Sequence, residues 1–280
     1  MTAQLSIGTA RRVTIGRIAA LQSGPATGQP VLLLPGYTGS KEDFGPVLDP
    51  LAEHGLRITA IDLPGQYESP SLPSPADYAP VRLAGAIDAV IEHLVGSGGS
   101  VHLLGHSFGG LVARAAVIAT PQRFRSVVLL SSGPAALDGL RRTRIDQLEP
   151  LLARTDLPGL YAAMQSAAAA EPGFVAPPPD LAGFLQRRFL QGSRIMLQGM
   201  ADALRAEPDR VARLAATGVP ALVVHGAADD AWPPQVQREM ARRLGARYEV
   251  IQHAAHSAAV ENPLALARIL VDFWLGASAG

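Results

Sequence analysis

The sequence contains no cysteine among its 280 residues, which excludes disulfide bonds, thiolate nucleophiles and cysteine-ligated metal sites. Lysine is almost absent too, since Lys41 is the only one, and we ascribe this to a composition rich in arginine rather than to function. The chain also lacks an excess of either charge, because 24 basic and 24 acidic residues cancel. A balanced chain offers no electrostatic footprint for nucleic acid, so we expect no nucleic acid among its partners.

Long apolar runs are missing as well. No uninterrupted run approaches the roughly 18 residues that predict a membrane span. The first residues lack the basic segment and the following apolar segment that direct secretion. We therefore expect a cytoplasmic protein without a membrane span, with enough residues for one large domain or for a domain with an insertion.

What the sequence does contain is an alternation of short apolar runs with longer helix-compatible segments. This alternation is typical of an α/β fold, a mostly parallel, twisted central sheet with helices on both faces. The candidate strands are Val31–Leu34, Arg57–Ile61, Ser100–Leu104, Ser126–Leu130, Ala221–His225 and Arg247–Ile251. The candidate helices are Phe44–His54, Ala79–Val95, Phe108–Ala119, Pro234–Leu244 and Pro263–Leu275. Residues 11–21 predict an antiparallel edge hairpin that precedes the parallel core.

The alternation is interrupted once, between residues 133 and 218, where no convincing buried strand occurs. The patterns there predict helices, and an irregular stretch at 171–179 separates the second from the third. These helices are Leu140–Leu152, Leu157–Ala170 and Leu181–Leu204. We expect residues 1–132 and 219–280 to form the core, and residues 133–218 to form a helical cap, or lid, inserted between two strands of the sheet.

Apolar residues recur at helical spacing in the last part of this insertion. They favour a seal between the insertion and the core, while some of them could instead line a pocket for an acyl group or a ring. The candidates for lining such a pocket, with one tryptophan from outside the insertion, are Phe184, Phe189, Met196, Met200 and Trp232.

Residues 105–110, Gly-His-Ser-Phe-Gly-Gly, lie between a candidate strand and a candidate helix. A serine flanked by glycines at such a turn has the Gly-x-Ser-x-Gly pattern of a nucleophile elbow. Gly105 and Gly109 keep side chains out of the crowded turn, and the bend directs the hydroxyl of Ser107 out of the sheet. Ser107 is therefore the candidate nucleophile, and it requires a base and an acid elsewhere in the chain.

Seven histidines are candidates for the base. His253 and His256 lie in the loop between the last strand and the last helix, at the carboxyl edge of the sheet where Ser107 is expected. We prefer His256, with His253 as the alternative, and we expect His106 in the elbow to pack or to form a hydrogen bond rather than to transfer protons. A metal bound by the two loop histidines is disfavoured, because no further ligands are arranged with them and structural sites use about four. We expect neither a metal nor another cofactor.

Two adjacent aspartates follow the candidate strand that ends at His225. Neighbouring side chains point in different directions, so one carboxylate can orient the base while the other caps a helix or faces solvent. Asp229 is the preferred acid, Asp230 is the alternative and Asp138 is a more distant third.

The order Ser107, Asp229, His256 is the nucleophile–acid–histidine order of the α/β-hydrolases, and the chain closely resembles this superfamily from about Val13 to Leu275. Residues 31–40 are similar to the strand and oxyanion loop of the family, usually His-Gly-x-x-Gly, with Pro35 in place of the histidine. Residues 62–69 resemble its Asp-x-Pro-Gly-x-Gly-x-Ser turn, with Tyr67 in place of the second glycine.

The resemblance implies an oxyanion hole formed by the backbone N–H groups of Tyr37 and Phe108. It implies an enzyme similar to the carboxylesterases and lipases, which cleaves an ester or related acyl bond of a small, fairly hydrophobic substrate through an acyl-enzyme on Ser107. In this interpretation His256 is the general base and acid, and Asp229 orients it. Lactonases, thioesterases and carbon–carbon bond hydrolases use the same triad and stay open as alternatives, as does a ligand-binding protein on the same scaffold.

Overall fold

The computed structural model describes residues 6–171 and 173–276. Residues 1–5, on which the expectation of no secretion signal rests, lie outside the described residues, as does Pro172 of the irregular stretch. The strands are β1 Arg11–Ile15, β2 Ile18–Ser23, β3 Gln29–Leu34, β4 Leu56–Ile61, β5 Val101–His106, β6 Phe124–Leu130, β7 Ala221–Gly226 and β8 Arg247–Ile251. They form one eight-stranded sheet in the order β1-β2-β4-β3-β5-β6-β7-β8. The pairs β1–β2 and β2–β4 are antiparallel, and the other neighbours are parallel.

Helices connect the parallel strands and cover both faces of the sheet. In chain order they are α1 Gly45–Ala52, α2 Pro80–Val95, α3 Phe108–Ala119, α4 Gly139–Arg154, α5 Leu157–Ala169, α6 Pro179–Gln191, α7 Arg194–Ala206, α8 Val211–Ala215, α9 Pro234–Leu244, α10 Ala258–Glu261 and α11 Pro263–Gly276. The predicted fold class and the predicted edge hairpin are confirmed. The strands and helices of the core lie within a few residues of their predicted bounds, and α3, α9 and β8 have the predicted bounds.

One predicted helix is wrong. The continuous helix expected over Leu181–Leu204 is two helices, α6 and α7, because the chain turns extended at Gly192 and restarts at Ser193. The hydroxyl of Ser193 accepts a hydrogen bond from the N–H of Met196 at 3.3 Å and so caps α7. Its own N–H donates to the carbonyl oxygen of Gly65 at 2.9 Å. The break thus anchors the insertion on the turn that follows β4.

Side chains of the central strands alternate between two apolar cores. In β3, Leu32 and Leu34 face a core shared with α2, α3 and α9, whereas Val31 and Leu33 face a core shared with α1 and α11. Burial on both faces is what near-continuous apolar strands of a parallel sheet require. The carboxyl ends of the parallel strands then lie at one edge, which carries the loops after β3, β5, β7 and β8.

The helical insertion follows β6, and its helices are not all placed alike. The helices α4 to α7 contain most of the segment, and α4 packs on α5 and α7. The short helix α8 instead packs on α3 and α9, with Val211 and Leu214 in the same core as those helices. The last helix of the insertion therefore packs directly on two of the helices that cover the sheet.

A buried ion cluster surrounds the only lysine, in the short 3-10 helix Lys41–Phe44 that follows the loop after β3. The Nζ atom of Lys41 lies 2.8 Å from Asp62, 2.6 Å from Glu68 and 3.2 Å from Glu42. Lys41 and Asp62 are at most 1% exposed. Because Asp62 begins the turn after β4, the cluster fixes two neighbouring loops to each other.

We expect Lys41→Met to lower the free energy of unfolding by about 3–5 kcal/mol, since it leaves buried carboxylates without their cation. Urea denaturation at pH 7 measures the loss. Arg12→Met is the matched control, because Arg12 contacts Glu42 and Glu68 while its side chain is 51% exposed. An exposed pair contributes at most about 1 kcal/mol. Equal losses in the two variants would contradict a special role for the buried cation.

Within the described ranges, no helix is both long and apolar enough to span a membrane.

Candidate active site

Ser107 lies at the turn between β5 and α3, in a backbone conformation that side chains rarely adopt. Its φ is 53° and its ψ is −119°, and such strain persists only where the surroundings enforce it. The N–H of Ser107 donates to the carbonyl oxygen of Leu130 at 2.8 Å, and its carbonyl oxygen accepts from the hydroxyl of Ser132 at 2.8 Å. The backbone N–H and C=O of Ser107 are thus both held, by the last residue of β6 and by the loop after it.

The glycines on either side of Ser107 allow the close approach of α3 to the sheet. A Cβ atom at Gly105 would lie 2.2 Å from the carbonyl oxygen of Gly109, and one at Gly109 would lie 2.5 Å from that of Leu34. Both distances are far below van der Waals contact. The Gly-x-Ser-x-Gly pattern is therefore required by the packing of this turn.

His256 and Asp229 form a hydrogen-bonded pair from the loops after β8 and β7. The Nδ1 atom of His256 lies 3.0 Å from Oδ1 of Asp229. Asp229 also accepts from the N–H of Ala231 at 3.0 Å and, through Oδ2, from the amide of Gln237 at 3.0 Å. With Nδ1 engaged, the Nε2 atom of His256 is the nitrogen that remains for proton transfer.

The carboxylate of Asp229 is the charged member that this pair needs. Burial acts to raise the pKa of Asp229, but the hydrogen bond and charge of His256 and the donors of Ala231 and Gln237 outweigh it, so the pKa lies below its ordinary value. An ionised, buried carboxylate favours the Nδ1–H tautomer of the histidine and stabilises its protonated form.

His106 packs against His256, with the two ring centroids 4.9 Å apart. Its Nε2–H donates to the backbone carbonyl oxygen of His256 at 2.8 Å. Burial, together with repulsion by His256, lowers the pKa of His106 to about 4. A neutral ring engaged with the backbone positions the loop of His256, which agrees with the packing role expected for this histidine.

Ser107 and His256 line one cavity of about 210 Å³. Its other lining residues come from the loop after β3 and the 3-10 helix that follows it, from the end of β5, from the loop after β8 and α10, and from the helical insertion. They are Gly36, Tyr37, Thr38, Gly39, Asp43, Phe44, His106, Arg141, Arg188, Ser257, Ala259 and Val260. The wall is mostly polar, and its two guanidinium groups are paired, Arg141 with Asp230 at 2.6 Å and Arg188 with Asp43 at 2.5 Å.

The loop after β3 lies directly against the serine. A Cβ atom at Gly36 would be 3.2 Å from the Cβ of Ser107, which places the peptide between Gly36 and Tyr37 beside the candidate nucleophile. Phe108 is the first residue of α3, and the first N–H groups of a helix have no partner within the helix. The hydroxyl of Tyr37 donates to the carbonyl oxygen of Leu197 in α7 at 2.8 Å, and burial raises the pKa of Tyr37.

The alternatives for base and acid lie elsewhere. His253 is exposed, with a φ of 57°. Asp230 forms a bidentate pair with Arg141, at 3.0 and 2.6 Å. Asp138 caps α4 by accepting from the N–H of Gly139 at 2.7 Å. Among the described residues, the side chains of His253, Asp230 and Asp138 form no hydrogen bond with Asp229 or His256.

The five expected pocket-lining residues lie outside the set that lines this cavity. Phe184 meets the ring of Tyr67 edge-on, with centroids 5.9 Å apart. Phe189 and Met196 are buried where α6 and α7 face the loop after β3.

The other two of the five are buried as well. Met200 is fully buried in the core, and the indole of Trp232 donates to the carbonyl oxygen of Ala135 at 3.2 Å. Met200 and Trp232 thus lie in the packing between insertion and core, whereas Phe189 and Met196 line a separate small cavity of about 10 Å³. Thr38 and Gly39 line both that cavity and the one that contains Ser107.

Two glutamines at this site were not found from the sequence. Gln237 is fully buried on α9 and holds Asp229, and Gln66 is 1% exposed and reaches the loop after β3. Glutamine is common on surfaces, so its residue type gives no signal. The one available clue to Gln66 is its place inside the turn at 62–69.

Comparison with known proteins identifies the chain as an enzyme of the hydrolase class. Residues 31–269 match the alpha/beta hydrolase family, and the chain belongs to that family.

Its relatives include enzymes with different substrates. The chain is 28% identical to the 2-hydroxy-6-oxononadienedioate/2-hydroxy-6-oxononatrienedioate hydrolase of Cupriavidus pinatubonensis, over 95% of each chain. It is 28% identical to the pimeloyl-[acyl-carrier protein] methyl ester esterase of Neisseria meningitidis, over 90% of this chain and 95% of that one. Among solved structures, a carboxylesterase of Nitrososphaera gargenis superposes with a TM-score of 0.79 at 19% identity, over 96% of this chain and 99% of that one.

Proposed function

We propose that this enzyme hydrolyses a carboxylic ester with a short acyl group through an acyl-enzyme on Ser107. The observation that carries the proposal is the sharing of one cavity by Ser107, in its strained turn, and His256, whose Nδ1 atom is held 3.0 Å from Asp229. This arrangement fits a nucleophile, a base and an orienting acid, and these three residues together require no cofactor.

In the first half of the reaction, Nε2 of His256 takes the proton of the Ser107 hydroxyl while the serine oxygen bonds to the ester carbonyl carbon. The N–H groups of Tyr37 and Phe108 would stabilise the resulting oxyanion. When the tetrahedral intermediate collapses, the bond to the alcohol oxygen breaks and His256 gives its proton to that oxygen. In the second half, His256 deprotonates a water molecule that attacks the acyl-enzyme, and Ser107 recovers its proton as the acid leaves.

We further propose that the insertion at residues 133–218 acts as a cap over this site. Three contacts around the cavity support the idea: Arg141 with Asp230, Arg188 with Asp43, and Tyr37 with the backbone of α7. They join helices of the insertion to loops at the carboxyl edge of the sheet.

The volume of the cavity leads to an expectation about chain length. About 210 Å³ is small beside the roughly 300–1,000 Å³ of typical ligand pockets. We expect kcat/KM for p-nitrophenyl esters to be highest for acetate or butyrate and to fall at least tenfold at decanoate, because a chain too long for the cavity holds the ester carbon away from Ser107, and a misplacement of about 1 Å can cost about 100-fold in rate. A steady-state series across these esters checks it. No hydrolysis of any ester would contradict the proposed function, and a maximum at decanoate would contradict the short acyl group.

A second candidate, an acyl group that carries a carboxylate, is favoured by the two guanidinium groups in the cavity wall. The relative from Cupriavidus pinatubonensis is named for a dioate substrate. Since Arg141 and Arg188 each already pair with an aspartate, we place the uncharged acyl group first. Monomethyl succinate and methyl butyrate, compared by titration of released acid, separate the two.

A further inference from the structure

Gln66 is a buried side chain that touches the loop beside the nucleophile without lining the cavity. It is 1% exposed, and its Nε2 atom donates to the carbonyl oxygen of Gly36 at 2.6 Å and to that of Tyr37 at 3.2 Å. Its Oε1 atom accepts from the N–H of Leu63 at 2.9 Å. Only this orientation of the amide satisfies all three neighbours, since an amide oxygen cannot donate to the two carbonyl groups.

The backbone of Gln66 is itself fixed within the turn that follows β4. Its N–H donates to the carbonyl oxygen of Leu63 at 2.9 Å, and its carbonyl oxygen accepts from the N–H of Ser69 at 2.8 Å. The turn is tied further by the ion pair between Lys41 and Asp62. Gln66 is therefore a rigid donor that the turn presents to the loop after β3.

The carbonyl group that Gln66 holds belongs to the same peptide unit as the proposed oxyanion donor. In a trans peptide the C=O of Gly36 and the N–H of Tyr37 lie in one plane and point in opposite directions. The N–H of Gly39 donates to the same carbonyl oxygen at 3.1 Å. Two donors on one carbonyl oxygen fix the plane, and with it the direction of the Tyr37 N–H.

This peptide unit needs an external constraint. Gly36 has no side chain to restrict its backbone, and a side chain there would be crowded, since a Cβ would lie 3.2 Å from that of Ser107. The absence of a side chain also permits rotation of the peptide. A rotation would turn the N–H of Tyr37 away from the position of the substrate oxygen.

We infer that Gln66 is a positioning residue for the oxyanion hole, which aims the N–H of Tyr37 at the developing oxyanion by holding the carbonyl oxygens of Gly36 and Tyr37. This inference rests on the proposed function, since it assumes that Ser107 attacks an acyl carbon. Hydrogen bonds to a carbonyl also polarise its peptide unit and strengthen the N–H as a donor.

Two variants of Gln66 test the inference. Gln66→Glu keeps the size of the side chain and the acceptor for the N–H of Leu63, but it places a carboxylate oxygen against the two carbonyl oxygens. Gln66→Met keeps the length of the side chain but has no hydrogen-bond donor. We expect each to lower kcat for p-nitrophenyl butyrate by roughly 10- to 100-fold, less than the loss of the donor itself would cost. We expect KM to change less than about threefold, because the oxyanion forms only in the transition state.

The inhibition constant of a transition-state analogue separates a positioning role from a merely structural one, since a structural role alone would not change it. A trifluoromethyl ketone forms a tetrahedral oxyanion on the serine, so its Ki should rise by the same factor by which kcat/KM falls. Gln22→Glu is the matched control. The Gln22 amide donates to the hydroxyl of Thr59 at 3.4 Å in the sheet, away from the cavity, and this variant should keep wild-type kcat and Ki.

The outcomes separate this inference from the proposed function. Thermal unfolding first establishes which variants are folded. If Gln66→Glu does not fold, the kinetics of Gln66→Met alone test the inference. If the wild-type enzyme is active and the folded Gln66 variants keep its kcat, or differ from it only in KM, the positioning role of Gln66 is overturned while the proposed function stands. Loss of folding in both variants assigns Gln66 to structure and also overturns it. A wild-type protein that hydrolyses no ester overturns the proposed function and, with it, this inference.

Discussion

Replacement of Ser107 by alanine is expected to lower kcat for p-nitrophenyl butyrate by roughly 10⁶-fold, the loss typical of removing a triad nucleophile. The hydroxyl is the atom that bonds to the acyl carbon, and neither His256 nor the oxyanion donors can replace it. Labelling by a fluorophosphonate probe should disappear with it. Both are measured on purified protein, with circular dichroism to establish that the variant is folded.

Ser131→Ala is the matched control for this variant. Ser131 is also a buried serine with a positive φ, 49° against 53° for Ser107, and it follows the neighbouring strand β6. It does not line the cavity that contains Ser107. We expect it to keep both hydrolysis and labelling. Undiminished labelling of Ser107→Ala would contradict the assignment of the nucleophile.

Replacement of Asp229 by asparagine is expected to lower kcat by roughly 10⁴-fold with little change in the fold. The carboxylate accepts from Nδ1 of His256, whereas an asparagine amide can present an N–H to that atom. The histidine would then carry its proton on Nε2, where it cannot accept the proton of Ser107. Steady-state kinetics from pH 5 to pH 9 measure the loss.

The neighbouring aspartate supplies the control for this second variant. Asp230→Asn breaks an ion pair with Arg141 whose members are 33% and 44% exposed, and exposed pairs contribute little. Its kcat should stay within about threefold of wild type. A larger loss in Asp230→Asn than in Asp229→Asn would show that the acid is Asp230, the alternative that the sequence leaves open.

The parallel core could be predicted from the sequence because its strands are buried on both faces. Such strands are short, continuous apolar runs, and the predicted Val31–Leu34 lies within β3, whose last five residues are buried. The sequence also predicts that the candidate nucleophile, acid and histidine lie at the same edge of the sheet, and in the structure Ser107, Asp229 and His256 follow β5, β7 and β8. Glycines that the packing requires, such as Gly105, marked the elbow in the sequence.

The helical insertion was less readable for a physical reason. Leu181–Leu204 keeps one helical periodicity across Gly192 and Ser193, whereas in the structure the N–H of Ser193 donates to the carbonyl oxygen of Gly65, far away in the sequence. The expected pocket residues have the same limitation. An apolar side chain such as Phe184 or Met200 fits a seal and a pocket equally well, and only the three-dimensional packing separates the two.

The glutamines of the site illustrate the same limit for polar residues. Nothing in the residue type of Gln66 or Gln237 distinguishes them from the glutamines on the surface. The role of Gln66 depends on a contact with Gly36, 30 residues away in the sequence. The role of Gln237 depends on a contact with Asp229, which lies eight residues away and outside α9. Tyr67, where the resemblance expects glycine, has a φ of 36°, so the turn around Gln66 keeps a backbone conformation that favours glycine.

The proposed mechanism requires a covalent acyl-enzyme on Ser107, which acid-quenched mass spectrometry during turnover of p-nitrophenyl acetate detects. We expect one acetyl group on the protein, formed with the burst of p-nitrophenol and located by peptide fragmentation on Ser107. Turnover with no acetylated protein, or an acetyl group whose formation keeps pace with the burst on another residue, would contradict Ser107 as the nucleophile.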